Sequence, residues 1–155
     1  LTFTFFISLE LMQVHSKEVK TMTESRFEEF FGGLSPMLST PAARGIFLLG
    51  VLTELLVNKQ YTERGSKPFL KQLKGLRLTE NDIRGLLPRV QNKLTEYESF
   101  DKGKRQLAEE ISTYLLQAGE SWDLSTDEIN FYFAAGMNLA NKLAGILYEK
   151  EKEVV

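Results

Sequence analysis

The residue types that most often carry catalysis are scarce in this sequence. It has no cysteine and a single histidine, His15, so disulfides, thiolate nucleophiles, thiolate zinc sites and His-rich metal sites are excluded. Glu28-Glu29 and Glu109-Glu110 are adjacent acid pairs, and adjacent residues of a helix do not face each other. Gly32-Gly33 lacks the spacing and the following Lys-Ser/Thr of a phosphate-binding loop. We therefore predict that the protein is not an enzyme and holds neither a cofactor nor a metal.

Cations, by contrast, are concentrated in one part of the chain. Residues 59–105 hold twelve Lys/Arg against six Asp/Glu, whereas the rest of the chain holds seven against fifteen. Lys67, Lys71 and Lys74 are spaced four and three residues apart, so a helix would place them on one face. Such a row matches the phosphates of a nucleic-acid strand. The candidate nucleic-acid-binding residues are Arg64, Lys67, Lys71, Lys74, Arg77, Arg84, Arg89 and Lys93.

Three aromatic residues accompany these cations. Tyr61, Phe69 and Tyr97 are near enough in sequence to stack bases, although we expect all three in the core, Phe69 above all. No motif for reading base edges is present, so binding should be insensitive to sequence. The alternative is a helical scaffold that binds other proteins through its acidic flanks and exposed apolar residues, with lysines that merely face solvent.

The elements that would position these residues are helices. Thr40-Pro41 predicts a helix start, and the apolar residues behind it predict a helix to about Gln60. Thr79–Asp82 and Ser125–Glu128 resemble capping boxes. The other predicted helices are Glu24–Phe31, a short one from Pro68 to near Gly75, one restarting at Pro88, one stopping at Gly119, and a last one to about Tyr148.

These elements predict an all-α fold, a bundle of about five to six helices. One domain should cover residues 23–150, between an uncertain N-terminal segment, residues 1–22, and a tail, residues 151–155. Strand signals are confined to residues 1–9, where Thr and Phe alternate loosely. Gly136, Ala140 and Ala144 sit four apart and should let a neighbouring helix come close. Since no stretch reaches the roughly 18–20 apolar residues of a membrane-spanning helix, we expect a cytoplasmic protein without a membrane partner.

Several segments together resemble a known family. They are Ile46-Phe-Leu-Leu-Gly50-Val51-Leu52, Gln60, Pro68-Phe69, Lys71, Leu73-Lys74-Gly75-Leu76, Leu87-Pro88, Asn92-Lys93-Leu94, Tyr97, Glu128-Ile129, Phe131-Tyr132-Phe133 and Gly136-Met137-Asn138-Leu139-Ala140. In order and spacing, from about Gly45 to Tyr148, they resemble the C-terminal region of the large subunit of type I-B CRISPR interference complexes (Cascade). None of these segments is a catalytic signature.

The resemblance implies a function. In that family this region is a helical bundle, which can also be made separately, by internal translation, as the small subunit. Small subunits lie beside the crRNA–target DNA heteroduplex and help to stabilise the displaced DNA strand of the R-loop. The implied partners are the backbone and large subunits, that heteroduplex and the displaced strand, with several copies side by side. The analogous small subunit of type I-D complexes remains an alternative.

The resemblance also bears on the site. The family's binding role is carried onto Lys67, Lys71, Lys74, Arg77 and Lys93, which lie in the matching segments. Arg64, Arg84 and Arg89 are added from the charge pattern alone.

Overall fold

The part of the chain that the structure describes is helical wherever it is regular. The computed structural model describes residue 31, residues 38–73, residue 75 and residues 77–154, with side chains up to residue 145 except at 144. These residues form five helices and no strand: α1 (Pro41–Arg64), α2 (Pro68–Leu73), α3 (Glu80–Glu96), α4 (Lys102–Gln117) and α5 (Thr126–Val154). The all-α prediction is confirmed.

The chain consists of two compact units, Leu1–Met37 and Leu38–Val155, and all five helices belong to the second unit. The predicted segment 1–22, the strand signal at 1–9, and the predicted helix Glu24–Phe31 apart from its last residue lie outside the described residues.

Local sequence signals start the helices where expected. Thr40 accepts a hydrogen bond from the Ala43 backbone N–H at 3.2 Å, ahead of Pro41 at the first helical position. Both predicted capping boxes are confirmed. Asp82 N–H donates to Thr79 Oγ1 at 3.2 Å while Thr79 N–H donates to Asp82 Oδ2 at 2.9 Å. The corresponding bonds of the second box, Ser125 with Glu128, are 3.1 and 2.9 Å long.

The predicted restart at Pro88 is wrong, because Pro88 lies inside the continuous helix α3. A proline ring removes one helical hydrogen bond and crowds the carbonyl four residues earlier, here that of Arg84. Both positions are exposed, so water can satisfy that carbonyl. Leu86, Leu87 and Val90 are buried on the opposite side, and this packing keeps the two halves of α3 together.

Helix α1 is the centre of the bundle, since it packs against each of the other four helices. From Ile46 to Thr53 every residue is buried, which a helix facing solvent on one side would not show. The expectation that no stretch suits a membrane helix needs correction. By length and composition alone, α1 is long and apolar enough to cross a membrane, since its mean hydropathy is 1.3 over an 18-residue stretch. However, 72 % of that stretch is buried inside the protein. Its apolar surface is therefore covered by α2–α5.

The crossing of α1 and α5 brings two backbones into contact. A Cβ atom added at Gly136 would collide with the Phe47 carbonyl oxygen and lie 3.2 Å from Gly50 Cα. One added at Gly50 would collide with the Phe133 carbonyl oxygen. The predicted close approach at Gly136 is confirmed, and Ala140 is fully buried beside it.

Side-chain contacts define two ends of the bundle. At the start of α1, the Arg44 guanidinium lies 5.9 Å from the centre of the Tyr114 ring, near the end of α4. At the end of α1, Arg64 lies 5.1 Å from the ring centre of Tyr97, which follows α3. Helices α1 and α3 therefore finish at the same end of the bundle.

Candidate nucleic-acid interface

The end of α1 brings two cations onto two tyrosine rings. Gly65 ends the helix with φ 70°, and its N–H donates to the Tyr61 carbonyl at 2.8 Å. This left-handed turn suits glycine and sends the chain back past the last turn of α1. Lys67 Nζ then lies 5.4 Å from the centre of the Tyr61 ring, close to where Arg64 covers Tyr97.

Helix α2 is fixed to α1 through its apolar side. The Phe69 N–H donates to the buried Gln60 side-chain oxygen at 2.9 Å, and the Phe69 ring is only 2 % exposed. Leu73 is also buried, whereas Leu70 is half-buried, so Phe69 is the principal anchor. With these residues facing inward, Lys71 is exposed on the outer side of α2.

A cleft of about 230 Å³ opens between α2 and α3. The Arg89 guanidinium lies over the Phe69 ring at 5.4 Å and donates to Gln72 Oε1 at 3.1 Å, which joins the two helices. The cleft is lined by Phe69, Gln72, Arg89, Asn92, Lys93 and Glu96. Arg89, Asn92, Lys93 and Glu96 recur at helical spacing along one face of α3.

These contacts, together with the exposed Lys71 on α2, define what we call the basic-aromatic surface. It combines cations with aromatic rings from the end of α1, from the chain leading into α2, from α2 itself and from the second half of α3. Its members are Tyr61, Arg64, Lys67, Lys71, Arg89, Lys93 and Tyr97.

The remaining predicted cations are placed differently. Arg77 forms an exposed ion pair with Asp127, at 2.6 Å, beside the start of α5. Arg84 pairs with Glu80 at 2.8 Å and donates to the carbonyls of Gly119 and Glu120 at 3.1 and 2.9 Å. Lys74 lies outside the described residues. Five of the eight predicted residues therefore belong to the surface.

Arg84 also covers the indole of Trp122, with its guanidinium 4.4 Å from the ring centre. Trp122 is buried in the connection between α4 and α5, so Arg84 fastens this connection to α3. This structural role of Arg84 could not be predicted from spacing, because the acceptors are backbone carbonyls about 35 residues further along the chain.

A comparison with protein families places this domain. Residues 2–151 match the family described as the CRISPR-associated protein TM1802 (cas_TM1802) C-terminal domain. The chain belongs to this family. The predicted relationship to a CRISPR-associated protein is thereby confirmed, whereas the I-B subtype and the small-subunit role remain predictions. No curated protein and no solved structure matches the sequence.

In this TM1802-family domain the aromatic residues only partly follow expectation. Phe69 is in the core as predicted. Tyr61 is not, since 57 % of it is exposed, and Tyr97 is half-buried. The reason is that α1 continues beyond the predicted end at Gln60, and its last turn, Tyr61–Arg64, extends into solvent. An exposed aromatic ring is able to stack a nucleobase, and a neighbouring cation is able to neutralise a phosphate.

The electrostatics of this end are mixed. Burial raises the pKa of the Glu54 carboxyl above its usual range, and the positive charge of Lys67 opposes part of that rise. Two further acids pair with neighbouring lysines: Glu63 with Lys59 at 3.1 Å, and Glu96 with Lys93 at 3.5 Å.

Among the described residues, no group of three or more His, Cys, Asp and Glu side chains could hold a metal ion.

Proposed function

We propose that this domain is a non-catalytic nucleic-acid-binding unit of a type I CRISPR interference complex. Its role would be that of the type I-B small subunit, with the type I-D equivalent as the alternative assignment. In this proposal the basic-aromatic surface contacts phosphates of the displaced DNA strand and so stabilises the R-loop. The partners are the backbone and large subunits of Cascade, with several copies of the domain side by side.

The observation that supports the proposal is the clustering of cations from separate elements at one end of the bundle. Arg64, Lys71 and Arg89 come from α1, α2 and α3, and each neutralised phosphate adds to affinity without regard to base. The exposed ring of Tyr61 supplies a stacking surface. Membership of a CRISPR-associated family supplies the biological setting.

The direct test is the salt dependence of binding to single-stranded DNA, followed by fluorescence anisotropy. Five contacts, at ~0.7 per single-strand phosphate, predict a log–log slope of roughly −3.5. Changing Lys71 and Lys93 to Ala should flatten the slope by about 1.4 and weaken all sequences alike. Both side chains lie outside the core, so the helix content measured by circular dichroism should not change.

Arg77→Ala is the control for each single variant, Lys71→Ala and Lys93→Ala, because it also removes one positive charge, from a side chain that is paired with Asp127 at the start of α5. It should leave the slope unchanged. The same variants should be tested in the assembled complex, where loss of Lys71 and Lys93 should reduce stable R-loops while every subunit is retained. An unaltered salt slope and normal R-loops in the double variant would refute the proposal.

A second candidate function is a protein-binding scaffold without nucleic-acid contact. Two large apolar side chains outside the basic-aromatic surface favour it: Leu116 on α4 is 81 % exposed and Phe131 on α5 is 51 % exposed. Under this alternative, Leu116→Ser and Phe131→Ser would release the domain from the complex. The Lys71 and Lys93 variants would then have no effect on R-loops.

A further inference from the structure

The cleft between α2 and α3 has a lining that phosphate binding alone does not explain. Besides Arg89 and Lys93, it contains the amides of Gln72 and Asn92 and the carboxylate of Glu96. A carboxylate in its wall repels a phosphate. The two amides offer hydrogen-bond donors and acceptors, the groups with which proteins recognise the edge of a planar polar molecule.

The cleft also has a flat cationic platform. One face of the Arg89 guanidinium lies over the Phe69 ring. An N–H of the same guanidinium donates to Gln72 Oε1, which fixes its orientation. Unstacked bases of single strands stack on such guanidinium planes. At about 230 Å³ the cleft is smaller than pockets for drug-sized ligands, which start near ~300 Å³. A single base therefore suits it better than a whole nucleotide.

The position of Glu96 in the cleft wall indicates which base the cleft would prefer. Its Oε1 makes one long contact, 3.5 Å, with Lys93 Nζ, and a carboxylate can accept about four hydrogen bonds. Guanine presents two adjacent donors, N1–H and the N2 amino group, which one carboxylate can accept together. Thymine presents one donor between two carbonyl oxygens, and those oxygens would be repelled.

We propose that this cleft receives one unstacked base of the bound strand and prefers guanine, with Glu96 accepting from N1–H and N2–H. The inference rests on the proposed function, because cations of the basic-aromatic surface, with Lys93 in the cleft wall, are what hold the strand there. It adds a base preference to binding that is otherwise insensitive to sequence.

The experiment compares an all-thymine oligonucleotide with the same strand carrying one central guanine. The guanine strand should bind about 10-fold more tightly, since one well-formed bidentate contact discriminates by ~1–3 kcal/mol. Replacing guanine with hypoxanthine removes the N2 donors and keeps N1–H, so this strand should show an intermediate affinity.

Glu96→Gln gives the decisive variant. It should abolish the preference for guanine and slightly strengthen binding of the all-thymine strand, because a negative charge is lost near the phosphates. Glu98→Gln is the matched control. It removes the same charge from an exposed residue that does not line the cleft, and should strengthen both strands alike while keeping the preference.

Equal affinity for the two strands in the unaltered protein, or a preference that survives Glu96→Gln, would overturn the base site. If no strand binds at all, the proposed function fails. A titration with free guanosine, followed by NMR of the Gln72 and Asn92 side-chain amides, then decides separately on the cleft. Shifts that Glu96→Gln abolishes would uphold the base site, and an unresponsive cleft would overturn it.

Discussion

The crossing of α1 and α5 allows a quantitative test of the fold through Gly136→Ala. Alanine normally favours a helix over glycine by about 1 kcal/mol. At Gly136 the added methyl group would meet the backbone carbonyl of Phe47, and a helix backbone cannot rotate aside as a side chain can. The two helices must then separate, which loosens the core around Ala140.

We expect Gly136→Ala to lower the free energy of unfolding by about 1–3 kcal/mol, the usual cost of overpacking. For a chain of this size each kcal/mol corresponds to about 2–4 °C in Tm, so the melting temperature should fall by about 2–12 °C. Gly136→Leu and Ala140→Leu should cost at least as much, since they place larger groups at the same contact.

Gly85→Ala is the matched control, because Gly85 lies within α3 and an added Cβ would meet nothing within 4 Å. At Gly85 only the preference of a helix for alanine over glycine acts, so the melting temperature of Gly85→Ala should rise. The difference between the two variants, measured by thermal denaturation with circular dichroism, isolates the packing contribution. If Gly136→Ala melts as high as Gly85→Ala, the two backbones do not meet and the α1–α5 crossing described above is refuted.

Three further perturbations test other parts of the bundle. Arg84→Ala should destabilise the domain by about 2 kcal/mol through lost charged hydrogen bonds and shift the emission of Trp122, the only tryptophan, to longer wavelength. An unshifted spectrum would contradict the stacking. Thr40→Ala should cost about 1 kcal/mol in urea denaturation, the usual value of an N-cap. Burial raises the pKa of Glu54 above its ordinary value of 4.5, so between that value and the raised pKa the folded state binds more protons than the unfolded state. The free energy of unfolding should therefore fall as the pH rises through this range. Glu54→Gln should remove this part of the pH dependence in denaturation curves recorded from pH 4 to 7, and parallel curves for the two proteins would contradict it.

The helices were predictable because their signals are local. A cap needs residues within one turn of each other, and Thr79 with Asp82, like Ser125 with Glu128, satisfies that requirement within the sequence itself. Pro88 shows where local reasoning fails. The burial of leucine and valine on the opposite face of α3 outweighs the intrinsic preference of proline, and that burial depends on α1, which is far away along the chain.

The candidate site was predictable only in part. Periodicity shows which residues share a face of one helix, but not which helices meet. Arg64 over Tyr97 and Arg89 over Phe69 each join different elements. The cleft between α2 and α3 exists only through such contacts, so neither its amides nor Glu96 could be assigned a role from spacing.

Helix α3 shows why a basic segment is not a basic surface. Arg84 and Lys93 lie nine residues apart on it, about 13 Å along the axis and half a turn around it. One fastens the connection between α4 and α5, and the other lines the cleft. The salt slope distinguishes the two descriptions of the site. All eight cations predicted from the sequence would give a slope of about −5.6, whereas the five that the structure brings together would give about −3.5. A measured slope near the larger value would mean that Lys74 also contacts the strand and that Arg77 and Arg84 leave their acidic partners to do so, and the basic-aromatic surface would then be too small.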